Sequence, residues 1–132
     1  MVMAERSADW MKQAKRDLEM AAKARESVFY EWACFIAQQA AEKGVKSVYQ
    51  AKGGSAIGHG IGFLPRGLKA ERVVVPEGTL KAAKKLDGHY IPSRYPDGMA
   101  EGTPADHFDK EDADDAIRSA GEVLRFCEDL LA

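Results

Sequence analysis

The stretch FYEWACFIAQQAAEKGVKSVYQAK, Phe29 to Lys52, decides the fold. Phe29, Ala33, Ile36, Ala37, Ala40, Ala41, Val45 and Val48 recur at the three- and four-residue steps of an α-helix. Trp32 and Phe35 extend that stripe to a second side. A helix apolar over so much of its surface is expected at the centre of a bundle, touching several neighbours. Its alanines admit close approach, and Gly53 and Gly54 are placed to end it.

Three further segments carry the same period. From Ser7 to Arg25, Trp10, Ala14, Leu18 and Ala21 share a face. Pro76 suits the first turn of a helix running to Tyr90, with Leu80, Ala83, Leu86 and Tyr90 spaced for burial and Pro92 beyond. The last helix spans Lys110 to Leu131. Asp109 is its N-cap, Asp112 stands at the capping-box position, and Ala113, Ala116, Ile117, Ala120, Leu124, Cys127 and Leu131 form the inner stripe. The glycine-rich GGSAIGHGIGFLPRGL allows one or two short helical turns around Ile61, Leu64 and Leu68, and Ser93 to His107 reads as loop. RVVVP, Arg72 to Pro76, is too short to found a sheet. The expectation is an all-α, up-and-down bundle of four main helices plus a short fifth, in one domain over the 132 residues.

Composition narrows the class. A 45% hydrophobic fraction supplies a core, and a net charge of −2 neither demands nor excludes an anionic partner. The first residues have no signal-peptide shape and no window resembles a membrane span, so the reading is cytoplasmic, without a membrane partner. Cys34 and Cys127 lie in helical patterns and read as small buried hydrophobes. His59, His89 and His107 have no metal-ligand spacing, and no phosphate-binding glycine loop or nucleophile elbow is present. No cofactor or metal is expected.

Charge is segregated. Between Arg66 and Arg94 stand seven Lys/Arg against three Asp/Glu; between Glu101 and Asp115 stand seven Asp/Glu against one Lys. Acids at the start of the last helix answer the helix dipole. Lys81 and Lys85 lie mid-helix, share a face and repel one another, so a basic face there would attract phosphate.

The segment HYIPSRYPDG, His89 to Gly98, is the densest in chemistry. Arg94 is a planar, permanently charged fork suited to phosphate or carboxylate. Tyr95 offers a ring for base stacking, Pro96 stiffens the backbone, and Asp97 can accept from Arg94, a turn amide or a ligand hydroxyl. Two readings stand together here: a local Arg94–Asp97 ion pair with Tyr95 packed on the bundle, or the rim of a ligand or partner site. His59 between glycines either packs on a helix or joins that site. Lys43 and Lys46, beside Glu42, are either a solvated stripe or phosphate contacts.

The ordered elements FIAQQAAEK (Phe35 to Lys43), GH (Gly58–His59), RYPD (Arg94 to Asp97) and DADDAIRSAGEVL (Asp112 to Leu124) resemble the HEPN domain, the higher eukaryotes and prokaryotes nucleotide-binding family. The resemblance runs from Trp10 to Leu131. It implies a homodimeric helical bundle that binds a nucleotide or RNA and acts as the substrate-binding partner of a minimal nucleotidyltransferase. Other branches are metal-independent ribonucleases of toxin–antitoxin pairs, with four to six residues between an arginine and the histidine that follows it. Here twelve residues separate Arg94 from His107, sixteen separate Arg72 from His89, and thirty-three separate Arg25 from His59. That departure favours binding over cleavage. The alternatives are the ribonuclease, should His107 fold back to Arg94, and a module for protein interaction alone. The site expected is Arg94, Tyr95, Asp97, His59, Lys43, Lys46, Lys81 and Lys85.

Overall fold

A computed structural model describes residues 5–52, 74–89 and 94–132. Its helices are α1 (Ser7–Glu26), α2 (Tyr30–Ala51), α3 (Glu77–Asp87), α4 (Pro104–His107) and α5 (Lys110–Leu131), with a 3₁₀ turn at Pro96–Gly98. No strand occurs among the described residues. The architecture is the all-α bundle expected, with four long helices and a short one among those residues. The helical turns expected among the glycines lie outside the described residues, as do Tyr90 and Pro92. A short helix forms at Pro104–His107, inside the segment read as loop. Pro104 opens it, and Thr103 and Asp106 form a reciprocal capping box.

α2 is central: it packs against α1, α5, α3 and α4, and α3 lies on α5. Its inner face is built from Ala33, Cys34, Ala37, Ala40, Ala41, Val45 and Val48, all buried. Gly44 sits where α5 comes closest. A Cβ there would stand 2.3 Å from Leu124 Cδ2, so the two helices meet at this glycine. From the other side come Met11, Ala14, Ala21 and Ala24 of α1 and Ala113, Ala116, Ala120, Val123 and Cys127 of α5. Burial pushes the thiols of both Cys34 and Cys127 up to about 12, which leaves them inert as nucleophiles at neutral pH.

Three expectations about faces are corrected. Phe29 and Trp32, assigned to the buried stripe, are 55% and 48% exposed, and Phe35 and Ile36 are half-buried. The small residues of α2 claim the inner face because only they allow α1 and α5 to approach on both sides, which turns the bulky ones outward. Leu80 of α3 is 40% exposed, while Thr79, Ala82, Ala83 and Leu86 are buried. Trp10 moves from the core to its rim, half-buried, and Met11 takes the inner position.

The α1–α2 turn has a sharp signature. The Phe29 N–H donates to Ala24 O at 2.8 Å and the Val28 N–H donates to Arg25 O at 3.1 Å. These are the two bonds of a Schellman cap, and Val28 holds its left-handed position at φ 70°. Glycine normally occupies that position, because a β-branched side chain there is strained. Farther out, Arg25 donates to both Asp114 oxygens at 2.8 and 3.3 Å, tying the end of α1 to α5. α5 starts as the sequence indicates. Asp109 accepts from the Asp112 N–H at 2.9 Å, and Asp112 accepts from the Asp109 N–H at 3.0 Å.

Candidate functional site

The outer face of α2 and the segment after α3 meet at Arg94. Its guanidinium carbon lies 4.4 Å from the centroid of the Phe35 ring and 4.8 Å from that of Tyr95. Phe35 in turn meets Trp32 edge-to-face, with centroids 6.1 Å apart and planes at 80°. The result is a ladder of Trp32, Phe35, Arg94 and Tyr95. Its two end rings are exposed to a similar degree, 48% for Trp32 and 47% for Tyr95. Phe29 and Val28, just before α2, are also exposed. Helical spacing turns Trp32 and Phe35 to one side of α2, and the extended backbone of Tyr95, set by Pro96, places its ring against the guanidinium.

A cation over aromatic rings gains roughly 0.5–2 kcal/mol, according to how far it is desolvated. This arrangement replaces the local ion pair considered for Arg94: Asp97 is exposed in the 3₁₀ turn and makes no ion pair with a described residue. Arg94 and Tyr95 are thus brought together, with Asp97 following in the turn. His59 lies outside the described residues.

The lysines do not join this cluster. Lys43 bonds Asp17 Oδ2 of α1 at 2.5 Å, largely shielded from water. Lys46 reaches Glu42 Oε1 at 3.1 Å as a charge contact and stands 5.6 Å from the Trp10 centroid. Glu42, 2% exposed, also accepts from the Gln39 side chain at 3.0 Å, which donates to Gln38 as well at 2.7 Å. The QQAAEK motif therefore builds an internal polar network along α2. Lys81 pairs with Glu77 at 3.7 Å, and Lys85 with Asp115 at 3.2 Å. Their expected mutual repulsion is relieved by these acids. The Lys85 contact also shows the basic and acidic segments meeting within one chain. Asp115 is held ionised below the usual carboxylate range, chiefly by the bond from Arg118 at 2.6 Å.

The two described histidines, His89 and His107, make contacts within the fold. The His107 Nε2 lies 2.5 Å from Glu101 O, closing the loop around α4. His89 is packed edge-on against Phe108, with centroids 5.5 Å apart. Burial lowers its pKa below 6.5, against the opposing pull of Asp112 and Asp115. Among the described residues no group of three His, Cys, Asp or Glu side chains could hold a metal ion. No described helix is long and apolar enough to cross a membrane.

Sequence reasoning missed Trp32 and Phe35 as site residues. Their signal was present as an excess: two large rings on a helix whose inner face was already filled by alanine and valine.

These features define a class: an all-α bundle whose central helix carries a cation–aromatic surface at one end. The family model of the HEPN domain matches residues 7–130. Solved structures agree in fold and sequence. A protein of Thermus thermophilus, TT1696, is 42% identical, with a TM-score of 0.93, covering 96% of this chain and 99% of that one. ST0689, an archaeal HEPN homologue, is 40% identical at a TM-score of 0.82, covering 98% and 100%. A HEPN domain protein of Thermotoga maritima, TM0613, is 37% identical at 0.73, covering 93% and 97%. A search of curated proteins finds no match. The chain belongs to the HEPN domain family.

Proposed function

We propose that the chain is a non-catalytic binding module for a nucleotide or nucleic acid, acting in the cytoplasm as a homodimer beside a minimal nucleotidyltransferase. One observation carries the binding reading: the Arg94 guanidinium lies over Phe35 and Tyr95, next to the half-exposed Trp32. A base can stack on either end ring while the planar cation between them meets phosphate. The ribonuclease alternative finds no comparable support. Its arginine–histidine spacing is missing, His107 is turned to the Glu101 carbonyl, and Arg94 stacks on rings.

Calorimetric titration with ATP, AMP and short RNA tests the reading. Binding should appear, and Arg94→Ala should weaken it at least tenfold without lowering the melting temperature much. Absence of heat at millimolar nucleotide and with RNA would overturn it. RNA cleavage lost in Arg94→Ala would move the protein to the enzyme branch. Co-expression with a nucleotidyltransferase encoded alongside should yield a stable complex whose nucleotide transfer depends on Tyr95 and Arg94.

A further inference from the structure

The ladder has two exposed stacking rings, and a single base can use only one of them. The outer face of α2 also continues past the ladder. Trp32, Gln39, Lys43 and Lys46 fall seven, four and three residues apart on that face, all half-buried or exposed. From Trp32 to Lys46 this line covers roughly 21 Å at the helical rise. Beyond Gln39 it enters an open groove of about 890 Å³, which Lys43 lines together with α1. The α1 side supplies Lys12 and Arg16, along with Arg6 and Lys15; two acids, Asp9 and Glu19, open onto the same groove.

Two of the α1 cations are only loosely committed. Arg16 and Glu19 pair at 3.2 Å with side chains 78% and 70% exposed, a weak, solvent-screened contact that a phosphate can replace. Lys12 is exposed and makes no ion pair with a described residue. Aromatic rings at one end of a helix face and exchangeable cations at the other are the two components of a single-strand track: bases stack, and the backbone follows positive charge.

We propose that the outer face of α2 binds a single-stranded oligonucleotide. Unpaired bases stack on Tyr95 and Trp32, and the sugar–phosphate backbone runs past Gln39 and Lys43 to Lys12 and Arg16. This rests on the nucleotide- or nucleic-acid-binding reading above and chooses a polymer over a mononucleotide. Over the roughly 21 Å from Trp32 to Lys46, the ~3.4 Å spacing of phosphates along a stacked strand corresponds to about six nucleotides.

Fluorescence anisotropy with labelled oligoadenylates of one, two, four, six and twelve nucleotides, as RNA and as DNA, tests it. Affinity should rise at least tenfold from AMP to the hexamer and at most twofold from hexamer to dodecamer. The exposed-site variants Lys12→Glu/Arg16→Glu should weaken the hexamer at least fivefold and leave AMP binding unchanged. Trp32→Ala should weaken the hexamer to a similar degree, and a duplex of equal length should bind less tightly than the single strand. Circular dichroism melts of these variants should overlay the parent. AMP bound as tightly as the hexamer, a hexamer indifferent to the α1 charge reversals, or a preferred duplex would each overturn the track and leave the binding reading standing. Failure of AMP and every oligonucleotide to bind would overturn both.

Discussion

The two faces of α2 are made from the same helix and obey opposite rules. The inner face, Ala33 to Val48, is small, closed and fixed by contact with α1 and α5. Its chemistry is volume, and Gly44 is its tightest point. The outer face, Phe29 to Lys46, carries the large rings and long polar chains, half-buried or exposed. Packing explains the inner face completely. It does not account for the half-exposed Trp32, which the proposed function assigns to ligand binding.

Substitutions that treat the two sides differently sharpen this contrast. Gly44→Val should have the largest effect. Its side chain collides with Leu124 at the α2–α5 contact, and chemical denaturation should show a loss of about 3 kcal/mol. An unchanged midpoint would mean that the inner face is not close-packed there. Val28→Gly, at the exposed turn, should act in the opposite direction. Relief of the left-handed valine gives a gain of about 1 kcal/mol, read from the same denaturation curves. Gly121→Ala serves as the partner of the Gly44 change. It too lies within a helix, but a Cβ there meets nothing within 4 Å, so helix propensity alone should give a gain of about 0.8 kcal/mol.

His89 supplies a test by titration. Its folded pKa lies below the ordinary 6.5, because burial against Phe108 disfavours the charged ring despite Asp112 and Asp115. The unfolded chain therefore takes up the proton first as pH falls. Stability should decline from pH 6.5 downward until the folded pKa is passed, and then level off in this contribution. Replacing His89 with Asn should remove that slope, while the loss at lower pH from Asp114 and Asp115, whose folded pKa values are depressed, should persist. A melting-temperature series from neutral pH down to about pH 4 on both proteins checks it.

Much of the fold was readable from local pattern. The extents of α2 and α5 and the Asp109–Asp112 box follow from periodicity and capping chemistry, which act over a few residues. The failures are tertiary or very short. Trp32 and Leu80 match a buried stripe in one dimension, and only the competition of neighbouring helices for the inner face turns them outward. The four-residue α4 is too brief to show a period. The Schellman cap was hidden because valine stands where glycine would announce it. For the site, Arg94 and Tyr95 were legible as chemistry in RYPD. Phe35 was not, since its meeting with Arg94 joins residues far apart in sequence and no local pattern encodes it. The lysines looked available on a helical wheel and proved to have acidic partners on the same or neighbouring helices.

Val28 carries a consequence beyond its turn. A position where one substitution is expected to improve folding while the present side chain stands in solvent next to the exposed Phe29 distinguishes two kinds of selective pressure. A library randomised at residue 28 and sorted for thermal survival should converge on glycine or asparagine. The same library sorted for ligand retention should keep valine or another bulky apolar residue. The divergence between the two pools would measure how far this corner of the protein was shaped by what it touches rather than by how it folds.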